Sequence, residues 1–221
     1  MIVLYVMILA VGLMAGIPAY AQQNSDAERL VDQSFSEMEG TLSVNYDPTF
    51  ADGQIIVCSL VYSAIVRDHA YSQGRFIYIG GSFGFSSGGR NHVNGFLKIG
   101  VQDINPLTAK MTPSTPSSAY FVVGSKTTKS AIVARVESDT PGMIFVVMTL
   151  EGMTAALIDS IKTDKINIAF ARRPSGIDIK LSLDLNVAAT DNRGKRTYKP
   201  DQNSEFHECV MDMIKRSLPP D

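Results

Sequence analysis

Gly80-Gly81-Ser82-Phe83-Gly84 spells a literal G-x-S-x-G. In α/β-hydrolases this spacing perches a serine on a tight strand-to-helix turn, with its Oγ exposed and backbone N–H groups aimed at an oxyanion. Chain order permits Ser82, then Asp178, Asp184 or Asp191, then His207 as a triad. The surroundings argue against it. Gly88, Gly89 and Gly95 follow with Arg90-Asn91-His92 among them, so no helix is expected after Ser82, and no repeated βαβ pattern supplies a parallel sheet. The expectation is a glycine-rich turn between strands, with a small serine hydrolase kept as the alternative. His69, His92 and His207 lack the i, i+2 or i, i+4 partner of a zinc site, so neither metal nor cofactor is expected.

Two stretches offer contact chemistry instead. Gly80–Gly95 reads as a flexible loop carrying Phe83, Phe85, Arg90 and His92, and aromatics beside a cation are a common recognition surface. Arg172-Arg173 stand at a turn, where guanidinium groups can meet an acidic partner or a lipid phosphate. A third possibility is an apolar-ligand carrier, if the Ile and Leu stripe over 177–185 lines a closed barrel.

The elements that would hold these groups are mostly strands. Ile166, Ile168 and Phe170 alternate with Asn167, Ala169 and Ala171; after Arg172-Arg173-Pro174-Ser175-Gly176 the alternation resumes at Ile177, Ile179, Leu181, Leu183 and Leu185. A period of two makes these arms an antiparallel hairpin. Further strands are expected around Leu42–Tyr46, Ile55–Val66, Arg75–Ile79, Phe96–Asp103, Ala119–Val123, Ala131–Val136 and Met143–Leu150. Asn105–Ser118, with three prolines, reads as a surface loop, and Asn186–Pro200 as a loop or edge strand. Ser25–Glu39, Thr154–Thr163 and Asp201–Ser217 carry helical periodicity, the last placing Phe206, Cys209, Val210, Met213 and Ile214 on one stripe. The fold class is mainly β: an antiparallel sandwich or strongly curved sheet with about three peripheral helices.

Composition sets the compartment. Met1–Ala21 is apolar, uncharged and closes on Ala19-Tyr20-Ala21, which predicts a signal peptide cleaved near Ala21, with an uncut membrane anchor as the competing reading. Residues 22–221 then form one exported domain, periplasmic or secreted, touching membrane only if the leader stays. Cys58 and Cys209 are the only cysteines in the chain, and an isolated pair in an oxidising compartment predicts a disulfide. The formal charge of −2 has its signs interspersed, which argues against nucleic acid as a partner. The 17 glycines and the absence of Trp lean toward a loop-rich β protein.

The helix Ala155–Lys162, the strands Lys165–Phe170 and Ile179–Leu185, and a closing helix with Phe206 and Cys209 follow one another in an order that resembles the small exported proteins of the invasion-associated locus B type. The likeness spans about Gly142–Ile214. It implies a periplasmic or secreted β-sandwich without catalytic residues, acting at the cell envelope or in host contact through a protein or envelope component.

Overall fold

A computed structural model describes residues 29–87, 92–106, 108 and 110–217. Met1–Ala21, expected above to be a signal peptide, and Arg90 lie outside the described residues. Among the described residues, no helix is long and apolar enough to cross a membrane.

Two antiparallel sheets share one core. The larger contains β1 (Gly40–Tyr46), β2 (Thr49–Ala51), β3 (Gln54–Asp68), β4 (Arg75–Ser87), β5 (Val93–Ile104), β6 (Met111–Pro113), β9 (Ile132–Glu137) and β10 (Met143–Met148), the last two being numbered in chain order. Its main path runs β1-β3-β4-β5-β10-β9, with β2 added to β3 and β6 to β5. The smaller sheet is formed by β7 (Ser118–Val123), β8 (Lys126–Thr127), β11 (Lys165–Ala171) and β12 (Ile179–Asp184), in the order β12-β11-β7-β8. A hairpin of β13 (Val187–Thr190) and β14 (Arg196–Tyr198) occupies the polar stretch before the closing helix.

The inner faces follow the period of two. On β3, Cys58, Leu60, Tyr62 and Ala64 are buried; opposite them in register stand Phe85, Phe83, Gly81 and Ile79 of β4. Leu97, Ile99 and Val101 of β5 continue the layer, and Ile166, Ile168, Phe170, Leu181 and Leu183 of the smaller sheet complete it. Phe83 is the hub: its ring lies 5.9 Å from Tyr62, 5.8 Å from Phe121 and 6.2 Å from Phe206, the last two edge-on.

Among the described residues, three α-helices complete the fold. Residues 29–38 form α1 on the outer face of the larger sheet, where Phe35 meets Phe76 and Asp32 pairs with Arg67. α2 (Leu150–Thr163) packs on β5, β7 and β11; α3 (Asp201–Ser217) packs on β1, β3 and β5. α2 begins four residues earlier than its periodicity suggests, because Thr149 caps it, its Oγ1 accepting from the Gly152 N–H at 3.3 Å. It ends at Asp164, whose φ of 53° is left-handed and whose N–H returns to the Ser160 carbonyl. α3 buries Phe206, Cys209, Val210 and Met213 as one stripe, and Cys209 is bonded to Cys58 of β3 across a separation of 151 residues.

The glycine-rich segment departs from expectation. It is no loop at its start: Gly80, Gly81, Ser82 and Gly84 lie within β4, which continues to Ser87. The glycines serve close approach rather than a turn. A Cβ on Gly81 would sit 2.0 Å from the Lys98 carbonyl oxygen, and one on Gly84 2.0 Å from that of Cys58.

Candidate functional site

Buried β4 leaves little for the first predicted contact surface. Phe83 and Phe85 are 1% and 0% exposed, because both occupy inward positions of the strand. They belong to the core and present nothing to a partner. His92 is exposed immediately before β5. Ser82 pairs in register with Val61 and Lys98 in mid-strand, on the opposite face from Phe83. Phe83 packs on Phe206 of α3, so the sheet separates Ser82 from α3 and its His207, and the sharp elbow is absent. His207 instead lies beside Ser160 of α2, 3.5 Å from its Oγ, and burial, partly opposed by Asp164, lowers its pKa. Ile179, Leu181, Leu183 and Leu185 are packed into the core, whereas Ile177, the first residue of the stripe, is exposed. Among the described residues, no group of three His, Cys, Asp or Glu side chains is placed to hold a metal ion.

The second predicted surface, Arg172-Arg173, lies in a cleft of about 580 Å³ at the end of the sandwich. The strands explain why charge collects there. Arg172 follows Ile166, Ile168 and Phe170 at the same inward parity of β11; Asp68 follows Tyr62, Ala64 and Val66 on β3; Asp103 follows Leu97, Ile99 and Val101 on β5. Each apolar alternation thus ends in a charged residue as the core meets water.

These ends interlock. Asp68 is fully buried. Its carboxylate accepts from the Tyr71 N–H at 2.8 Å, the Ser72 hydroxyl at 3.1 Å and Arg172 Nη1 at 2.7 Å. Its own carbonyl accepts from the Ser72 and Gly74 N–H groups, so this one residue also shapes the β3–β4 turn. Arg172 Nη2 donates to Asp103 at 2.5 Å and to Ser114 Oγ at 2.8 Å, Nε donates to Ser114 Oγ at 3.2 Å, and Nη1 also reaches Ser72 Oγ at 2.9 Å. Burial works against the Arg172 charge, but its bonds to Asp103 and Asp68 outweigh that and raise its pKa. Arg172 is therefore a structural tie, not the solvated contact residue its place in a turn suggests.

Around this floor stand Tyr71, Gln73, Arg75 and Arg173. The Tyr71 hydroxyl donates to the Ile177 carbonyl at 2.6 Å, joining the β3–β4 turn to the β11–β12 tip, and the Arg173 guanidinium lies 5.9 Å from the Tyr71 ring centre. Arg75 sits opposite Asp68 in register, yet the Asp68 oxygens are engaged by other donors. Among the described residues, neither Arg75 nor Arg173 has an ion-pair partner. Sequence reasoning missed Asp68, Asp103 and Arg75; the charged residue closing each inward alternation was the available signal.

What these observations define is an antiparallel two-sheet sandwich, tied by one disulfide, with a charged cleft at one end. No family model matches the chain, and no match was found among curated proteins or solved structures.

Proposed function

We propose that this protein is a non-enzymatic, exported binding module of the cell envelope, and that the cleft between the β3–β4 turn and the β11–β12 tip is its contact surface. One observation carries the reading: a concave surface whose floor is locked by Asp68–Arg172–Asp103 while, among the described residues, the guanidinium groups of Arg75 and Arg173 have no carboxylate partner. A fixed scaffold presenting unpaired cations from turns is suited to recognition. The Cys58–Cys209 bond supports an oxidising compartment. The apolar Met1–Ala21 and the resemblance to the invasion-associated locus B type support export and an envelope role.

The test uses the chain expressed with its own leader. Intact mass after thiol alkylation should begin at Gln22 with no alkylated cysteine. Photocrosslinking residues placed at Gln73 and at Ile177, which is 69% exposed beside Tyr71, should yield adducts with an envelope component; the same group at exposed Met211 of α3 should not. A full-length mass with two alkylated thiols removes the export reading, and equal yields at Met211 remove the cleft.

A further inference from the structure

We infer that the cleft is an oxyanion site in which Arg75 and Arg173, rather than Arg172, hold the negative group of a small ligand. This deepens the binding-module reading and rests on it. Arg172 has no donor to offer, since its Nε, Nη1 and Nη2 groups are all directed at Asp68, Asp103, Ser72 and Ser114. Its charge is also answered twice, by the buried Asp68 and by Asp103. Formal charges over Asp68, Asp103, Arg75, Arg172 and Arg173 leave one net positive: the floor is one negative in excess, and the two rim guanidiniums outweigh it. Phosphate and carboxylate oxygens match the forked donors of arginine and form its strongest hydrogen bonds.

The remaining lining sets what the anion can be attached to. A cleft of about 580 Å³ is far larger than an inorganic anion needs and falls within the range of small-molecule sites. Gln73 and Ser72 supply neutral polar groups, while the Tyr71 ring supplies apolar surface. Tyr71 is held in place through the Ile177 carbonyl, so the wall between the two turns is formed before a ligand arrives. The ligand class is thus a compact organic anion, with a phosphate or carboxylate group directed at Arg75 and Arg173.

Calorimetric titration of the oxidised full chain, at low and at physiological salt, tests this with pyrophosphate and citrate as probes. Saturable binding of either probe is expected, weaker at higher salt. Arg75→Gln and Arg173→Gln should each weaken it about tenfold or more. Lys199→Gln, which removes an exposed cation paired with Glu205 near α3, should leave it unchanged. Preference for pyrophosphate identifies phosphorylated ligands, and preference for citrate identifies polycarboxylates. Absence of binding by both probes, or equal weakening by Lys199→Gln, overturns the site. Flotation with phosphatidylglycerol vesicles in the absence of probe binding also overturns it in favour of a lipid surface. Should the probes fail while crosslinks from Gln73 persist, the binding module stands without an oxyanion; loss of both removes both.

Discussion

Replacing Arg172 with Met is the sharpest test of how the cleft is built. The substitution keeps an unbranched apolar stem but leaves the fully buried Asp68 carboxylate with only the Tyr71 N–H and the Ser72 hydroxyl. Removing one partner of a buried ion pair costs about 3–5 kcal/mol, because the remaining charge keeps its desolvation penalty and loses its compensation. Asp103 is 42% exposed in its side chain, so water can replace the bond it loses and it adds little. Unfolding in urea, followed by far-UV circular dichroism because the chain has no Trp, reads this directly. With a slope of about 2 kcal/mol per molar urea, the midpoint should fall by roughly 2 M. Asp68→Asn alone should cost about 1–3 kcal/mol, since the amide oxygen it introduces can still accept from the Tyr71 N–H and Arg172 retains Asp103. The double variant should cost less than the two singles together, with a coupling of at least about 1 kcal/mol. A loss under about 1 kcal/mol for Arg172→Met, or strict additivity in the double, would refute the interlocked floor.

Other perturbations probe the rest of the fold. Cys58→Ala with Cys209→Ala should lower unfolding stability by up to about 5 kcal/mol, the chain-entropy value for so long a loop, and should match the wild type measured under reductant. Gly84→Ala should sharply reduce the yield of folded protein on gel filtration, because its Cβ meets the Cys58 carbonyl and the paired backbone cannot withdraw. For His207, the folded pKa is lowered, so the unfolded chain binds more protons as pH falls below about 6.5 and stability drops there. His207→Gln should flatten that part of the pH–stability curve, read from urea midpoints at several pH values. Asp139, hydrogen-bonded to Ser138 and Lys98, is lowered to about 2; removing the Lys98 ammonium by Lys98→Met should raise its NMR titration midpoint toward the ordinary carboxylate range.

The sequence spoke most clearly where one physical period dominated. The β11–β12 hairpin and α3 were legible because apolar residues recur at two and at three-to-four residue intervals without interruption, and Cys58 and Cys209 because no other sulfur could compete. β4 and β5 were only half legible: glycine signals freedom when read locally, and nothing local to Gly81 or Gly84 announces the carbonyl of a neighbouring strand 2.0 Å from a missing Cβ. That misreading also placed Phe83 and Phe85 on a loop, when their spacing fits the inward face of a strand. The cleft is legible in the sequence only through Arg172-Arg173, and a turn position puts both at the surface although Arg172 belongs to the floor. Asp68 and Arg172 are 104 residues apart, and Asp103 and Arg172 are 69 apart. Such pairing follows from sheet order, which periodicity does not specify. The parity of Arg172 with Ile166, Ile168 and Phe170 was nevertheless in view, and it was a better guide than its neighbourhood to a proline.

The disulfide also has a consequence in time. Synthesis at about 5–20 residues per second means that roughly 10–30 s pass between the making of Cys58 and that of Cys209. Within that interval β3, β4 and β5 are complete and joined only by short connections, so they are able to pair while α3 does not yet exist. Cys58 must therefore wait as a thiol at the middle of an assembling sheet, open to any oxidant or stray sulfur it meets. The order of synthesis thus sets how long that exposure lasts, and the order of strand pairing sets where in the sheet it falls.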